Sequence, residues 1–217
     1  MHAGVASGTV GTVSPNVVEP PRYRAIFAVD IERSTARTNT AKALLREVMY
    51  DVLEYALHAG GIPAEYRDPM IDRGDGALVL VRPVDQAPKT LLLNPVIPLL
   101  TSLLADHNAR HPDLELRLRA VVHAGGIHHD QRGWFGESLD VAFRLLDAPE
   151  IKTTLRTVSA PLVLVTSDYI YRSIVRHGYE GIDAPGFAPL RVRTAGEEHC
   201  GWAQASQSTV MIAKLAG

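Results

Sequence analysis

The sequence predicts an α+β domain whose first half runs β-α-β-β-α-β. Three observations carry that prediction. Short apolar runs such as RAIFAVD at 24–30 and ALVLV at 77–81 read as buried strands. Segments with apolar residues three and four apart, such as 40–58, read as amphipathic helices. A Gly74-Asp75-Gly76 turn joins two strands with no helix between them. A mixed sheet with helices on one face is the natural way to bury those stripes.

The elements follow in order. The first strand, 24–30, ends in Asp30, and 31–39 is a polar Ser/Thr-rich loop with helix-capping chemistry. The first helix carries Leu44, Leu45, Val48, Val52, Leu53 and Ala56 at helical spacing until Gly60-Gly61 stops it. A strand over 63–72 pairs through the Gly-Asp-Gly turn with 77–82. Asn94-Pro95 reads as an N-cap with proline at the first helical position, opening a helix to about 108. A strand at 114–123 is ended by Ala124-Gly125-Gly126, and 136–147 is a short amphipathic helix. Then come a strand at 162–166, a helix at 167–177 and a hairpin over 188–203. The first six elements make the ferredoxin-like split pattern.

At 217 residues, 46% hydrophobic, the chain is long enough for one domain with a substantial core. We place that domain at 22–206, between a loose Gly/Pro-punctuated tail at 1–21 and a tail at 207–217. A net charge of −2 gives no general affinity for nucleic acid or anionic membrane. No run of about 18 apolar residues is present to span a bilayer. The lone Cys200 excludes an internal disulfide and a multi-cysteine zinc site, so a cytoplasmic protein is expected.

In the split pattern the first strand lies beside the hairpin, so Asp30 and Asp75 should converge at one sheet edge. Two carboxylates that close repel unless a cation lies between them, and a pair of divalent metals can hold them and clamp a phosphoryl transfer. The loop after Asp30, with Glu32, Arg33, Ser34 and Thr35, offers backbone N–H groups suited to phosphate. His128-His129-Asp130 lies in a predicted turn without helical His spacing and reads as a solvated loop.

FAVDIERST (27–35) resembles the first metal motif of class III nucleotidyl cyclases, and RGDGALVLV (73–81) resembles their second. RAVVHAG (119–125) is similar to the family's Arg-x-x-x-His-x-Gly strand. FGESLDVAFRLLD (135–147) matches the spacing of its Gly-x-x-Val-Asn-x-Ala-x-Arg helix. The likeness spans about 23–204 in family order. It implies a class III cyclase-like catalytic domain working as a homodimer on a nucleoside triphosphate. Asp30 and Asp75, with the Ile31 carbonyl, would hold two Mg²⁺ or Mn²⁺ ions. Arg119 would contact phosphates. Asp140 and Arg144 would serve the partner's site, orienting the ribose and stabilising the transition state.

The sequence departs from the pattern at the base. Where the family's purine readers stand, this chain has Ile71 and Gly133, and the family's Asn is Asp140. Neither Ile71 nor Gly133 has a side-chain group to hydrogen-bond a purine edge, so a different base pocket is expected. Tyr66 or Arg67 upstream are candidates to fill it. In this the chain resembles the pyrimidine cyclases of bacterial Pycsar anti-phage systems, which implies UTP or CTP as substrate. The alternative is a degenerate cyclase domain acting as a nucleotide-binding or dimeric regulatory module. The intact Asp30, Asp75, Arg119 and Arg144 argue for the enzyme.

Overall fold

The computed structural model describes residues 19–206, apart from 180, 195 and 196 and the side chains of 193–197 and 206. All of the second tail, and all but residues 19–21 of the first, lie outside the described residues. The chain builds β1 (Arg22–Ile31), α1 (Asn39–Ala59), β2 (Ile71–Asp72), β3 (Gly76–Val81), α2 (Ile97–Arg110) and β4 (Leu118–Asp130). There follow β5 (Gly133–Phe135), α3 (Glu137–Leu146), α4 (Pro149–Thr157), β6 (Leu162–Ser167), α5 (Asp168–Ser173), β7 (Ala188–Thr194) and β8 (Glu197–Ser206). The main sheet runs β2-β3-β1-β4-β6-β8-β7, with β5 hairpinned onto β4. β1 is antiparallel to both β3 and β4, and β4 is parallel to β6.

Period-two alternation divides β1 between two cores. Ala25, Phe27, Val29 and Ile31 face α1 and α2, whose Leu45, Met49, Leu53, Leu100 and Leu104 pack there. Ile26 and Ala28 face the other way, onto Leu139, Ala142 and Leu145 of α3 and Ile151 and Leu155 of α4. Helices therefore cover both faces, not one as the sequence suggested. The second layer includes α4, which the sequence reading assigned no structure. Each buried Leu or Ile contributes roughly 1.5–3 kcal/mol by leaving water.

Several boundaries move for physical reasons. Thr38 caps α1 by accepting from the Ala41 N–H at 3.3 Å. The expected 63–72 strand is a single 3₁₀ turn, Ala64–Tyr66, followed by the two-residue β2. The Asn94–Pro95 peptide is cis and Asn94 is non-helical, so α2 begins at Ile97. Gly125-Gly126 does not end β4, which continues to Asp130. A Cβ at Gly125 would strike the Ser138 side chain, so this glycine lets α3 lie close on the strand. His128 and His129 are strand residues, stacked beside Phe135 and tilted beside Trp134 respectively.

His123 sits under α5, its Nδ1 2.7 Å from the Ser167 Oγ, and burial pulls its pKa down to about 4. The Ser167 Oγ also accepts from the Ile170 N–H and so caps α5. The folded-state pKa lies below the unfolded value of about 6.5, so the unfolded chain takes the extra proton first. This contribution is complete above about pH 6.5 and is lost as pH falls towards 4, by about 3 kcal/mol in all. Urea unfolding at pH 7 and pH 4.5 should show a smaller acid loss in His123→Gln than in the wild type. Equal losses would remove His123 as the cause.

Candidate active site

Asp30, next to last in β1, has Gly76 of β3 opposite it on one side and Arg119 of β4 on the other. Directly opposed residues point to the same face of a sheet. Asp30 shares the face of Ile26 and Ala28, so Asp30 and Arg119 stand on the side covered by α3 and α4. Asp75 arrives from the β2–β3 turn, fixed by two contacts. Its carbonyl accepts the Ile31 N–H at 2.9 Å. Its Oδ2 accepts from the Ser34 hydroxyl. Next to it, a Cβ on Gly76 would collide with the Val29 carbonyl, so glycine is what lets the turn close against β1.

Asp72 stiffens the same turn. Its Oδ1 accepts the N–H of Gly74, which is left-handed at φ 82°. Both its oxygens take the Arg46 guanidinium, at 3.1 and 2.8 Å. Arg46, and then the Gly74 N–H, hold the Asp72 carboxyl well below the usual range.

The two carboxylates open into one cavity of about 620 Å³, also lined by Ile31, Glu32, Arg33, Ser34, Thr35, Arg117, Arg119, Asp147, Lys152 and Arg156. Arg119 is ion-paired to Asp30 and lies 3.5 Å from the Asp147 carboxylate. Burial lowers its pKa and Asp147 works against that shift. The Ile31 side chain is buried in the core, so only its main chain is available to a ligand.

The loop after Asp30 differs in part from expectation. The Glu32 N–H is taken by the Arg117 carbonyl at 2.9 Å, and its carboxylate pairs with Arg117 at 3.2 Å. Glu32 is thus a strut for β4, not a phosphate donor. Ser34 spends its hydroxyl on Asp75. The N–H groups of Arg33, Ser34 and Thr35 open a 3₁₀ turn, so they have no partner inside that helix.

The base-pocket candidates separate. Ile71 opposes Leu78 and packs on the α3 face. Tyr66 packs instead on the α1 face, and Arg67 is buried there with its guanidinium on Glu54 of α1. Those two side chains leave the sheet on the side away from Asp30, because Arg67 bridges to Val81, an α1-facing residue. They do not belong to this site. Gly133, at φ 132°, turns β4 into β5, with its N–H on Asp130 at 3.1 Å.

Asp140 and Arg144 lie one turn apart on α3 and line a second groove of about 500 Å³ with Phe143, Asp147, Ala148, Pro149 and Val192. Arg144 Nη1 lies 2.8 Å from the His199 Nε2 of β8, within hydrogen-bond distance. The Arg73 guanidinium covers the Phe143 ring at 3.4 Å from its centroid. Among the described residues only Asp147 borders both spaces.

The sequence reading missed Arg117, Asp147, Lys152 and Arg156. The last two had a legible signal: Pro149 before Ile151 and Leu155 at helical spacing, with Lys152 and Arg156 one residue further round.

The donor set suits a hard divalent cation of limited protein coordination. Asp30 and Asp75 supply carboxylate oxygens from adjoining strands, and magnesium commonly keeps waters and takes substrate phosphates for the rest. Among the described residues no three His, Cys, Asp or Glu side chains come together as a metal cage. The fit is to a metal–phosphate complex rather than to a stand-alone metal site.

The split βαββαβ sheet is the fold of class III nucleotidyl cyclase catalytic domains, and the chain has that fold. The guanylyl cyclase Cya2 superposes with a TM-score of 0.61 at 11% identity, over 90% of this chain and 97% of that one. An adenylate/guanylate cyclase/hydrolase from Silicibacter pomeroyi matches at 0.52 and 17% identity, over 86% and 98%. The guanylate cyclase domain of RhGC from Catenaria anguillulae, in complex with GTP, matches at 0.53 and 16%, over 87% and 100%. No family model and no curated protein matches the sequence. Among the described residues no helix is long and apolar enough to cross a membrane.

Proposed function

We propose that the protein is a two-metal nucleotidyl cyclase, converting a nucleoside triphosphate to a 3′,5′-cyclic nucleotide and pyrophosphate between two copies of the chain. The observation that carries this is the meeting of Asp30 and Asp75 in a cavity rimmed by cations. Asp30, Asp75 and the Ile31 main chain would hold Mg²⁺ or Mn²⁺. When bound, such ions lower the pKa of the ribose 3′-hydroxyl and offset the charge of the leaving pyrophosphate.

The chain's own groups supply the rest. The N–H groups of Arg33, Ser34 and Thr35 would bind the phosphates, and Arg119, which sits between Asp30 and Asp147, would stand as a cation beside the reacting group. The 3′-oxygen forms a bond to the α-phosphorus as the bond to the β-bridging oxygen breaks, and the hydroxyl proton passes to solvent. Arg144 of the partner copy, aimed by His199, would offset charge on the pentavalent phosphoryl group, and Asp140 would accept a ribose hydroxyl.

Ile71 and Gly133 give no purine-reading side chain, which favours UTP or CTP; the likeness to pyrimidine cyclases of anti-phage systems extends the reading to a cytoplasmic role in anti-phage signalling. A second reading, a nucleotide-binding or regulatory module without turnover, is favoured by the pairing of both carboxylates inside the chain, Asp30 with Arg119 and Asp75 with Ser34. Incubation with ATP, GTP, CTP and UTP separately, with Mn²⁺, followed by mass analysis, decides between them. A cyclic pyrimidine nucleotide is the expected product. A cyclic purine would overturn the base assignment. Nucleotide binding without product from any of the four would establish the module.

A further inference from the structure

We infer that helix α4 is a polyphosphate clamp, with Lys152 and Arg156 holding the phosphates beyond the reacting one from the same chain that carries Asp30 and Asp75. This rests on the cyclase reading for the nucleotide, and on the cavity alone for the polyphosphate.

Both cations line the cavity of the two carboxylates. They are four residues apart and so share one helix face. The adjoining face is anchored by Ile151 and Leu155, both fully buried against the sheet. The C-terminus of α4 is held as well. The Arg117 guanidinium donates to the carbonyls of Leu155, Val158 at 2.6 Å and Ala160 at 3.0 Å, while pairing with Glu32 beside the phosphate loop. One arginine therefore fixes α4 relative to the end of β1, and the clamp is set before any ligand enters.

The charges point to an anion. Five cations line the cavity, Arg33, Arg117, Arg119, Lys152 and Arg156, against the four acids Asp30, Glu32, Asp75 and Asp147, and Asp30 and Glu32 are already engaged by Arg119 and Arg117. Arg156 spends Nε on the Lys152 carbonyl at 3.1 Å, and among the described residues no acceptor takes its two Nη groups. Lys152 rests 3.3 Å from Asp147, an exposed pairing that a phosphate can replace at little cost. A planar fork and a mobile point charge on one face suit two successive phosphates. Asp147 also lies beside Arg119, so it spaces the clamp from the cation at the reacting centre.

The test is calorimetric titration of the full chain with inorganic tripolyphosphate in Mg²⁺, with orthophosphate as comparison. Tripolyphosphate should bind more tightly than orthophosphate. Lys152→Ala should weaken it about tenfold and Lys152→Ala/Arg156→Ala about a hundredfold. Lys152→Arg/Arg156→Lys keeps both charges but exchanges the fork and the point charge, so it should bind more weakly than the wild type and clearly more tightly than the alanine pair. Arg132→Ala, on the β4–β5 turn, controls for net charge and should change nothing. Wild-type binding by the double alanine variant, or an equal loss in Arg132→Ala, would overturn the clamp. So would a conservative pair as weak as the alanine pair. Cyclic product formed by the double alanine variant at an unchanged KM would remove the clamp and leave the enzyme. Absence of product from all four nucleotides, with tripolyphosphate binding still dependent on α4, would remove the enzyme and leave the clamp.

Discussion

Asp75→Asn is expected to lower cyclic-nucleotide formation by about a thousandfold or more, some 4 kcal/mol of transition-state stabilisation, with little loss of fold stability. The argument is one of charge at constant shape. The amide oxygen of asparagine can still accept from Ser34, and the turn's main-chain bond to Ile31 is untouched. What disappears is the negative charge that a divalent cation needs. Asp30 is a poorer place to test the same idea. Its partner Arg119 has only 8% of its side chain exposed, so neutralising Asp30 leaves a buried guanidinium with only the exposed Asp147, at 3.5 Å, to balance its charge. Removing one member of a buried pair costs about 3–5 kcal/mol of stability. Loss of activity in Asp30→Asn would therefore mix unfolding with chemistry. The measurement is initial rate with the preferred nucleotide in Mn²⁺, alongside the thermal midpoint. Turnover within tenfold of the wild type, with the midpoint unchanged, would end the two-metal reading.

The parts of the site that were legible in the sequence are those where backbone punctuation and chemistry coincide. Asp30 closes an apolar run and Asp75 stands between glycines, and period-two alternation then carries them to neighbouring strands. Asp140 and Arg144 were legible as helix neighbours for the same kind of reason. The misplaced residues depend on long-range register. Nothing local told that Arg67 would be drawn to Glu54, thirteen positions earlier, rather than stay with Ile71. The sheet decides which side of β2 each residue leaves from, and 63–70 is too irregular for alternation to be counted across it. Arg119 was expected to meet phosphate, but its position directly opposite Asp30 is a property of strand pairing. Lys152 and Arg156 were missed because α4 is nine residues long and its polar face is read only once its apolar face is placed.

Mixing Asp75→Asn chains with Arg144→Ala chains should restore activity that neither has alone, and this would show that the two grooves of one chain serve different sites. Asp75 lines the metal cavity, whereas Arg144 lines the α3 groove and is held outward by His199. If each complete site joins the cavity of one copy to the groove of the other, a mixed dimer holds one site with both lesions and one with neither. Equal mixing with free exchange makes half the dimers mixed, so activity should recover to about a quarter of the wild-type value. Purified mixed dimers, isolated with a different tag on each chain, should reach about half. These figures separate shared sites from self-contained ones, because independent sites would each keep a lesion and give only the sum of the two parents. A result at that sum, with mixed dimers verified by mass, would place Asp75 and Arg144 in the same chain's chemistry. The bond from Arg144 to His199 would then have to break for the arginine to turn towards Asp75. Chemistry that needs no such rearrangement is the stronger expectation, since a charge held in place beforehand stabilises a transition state without reorganising at the moment of reaction.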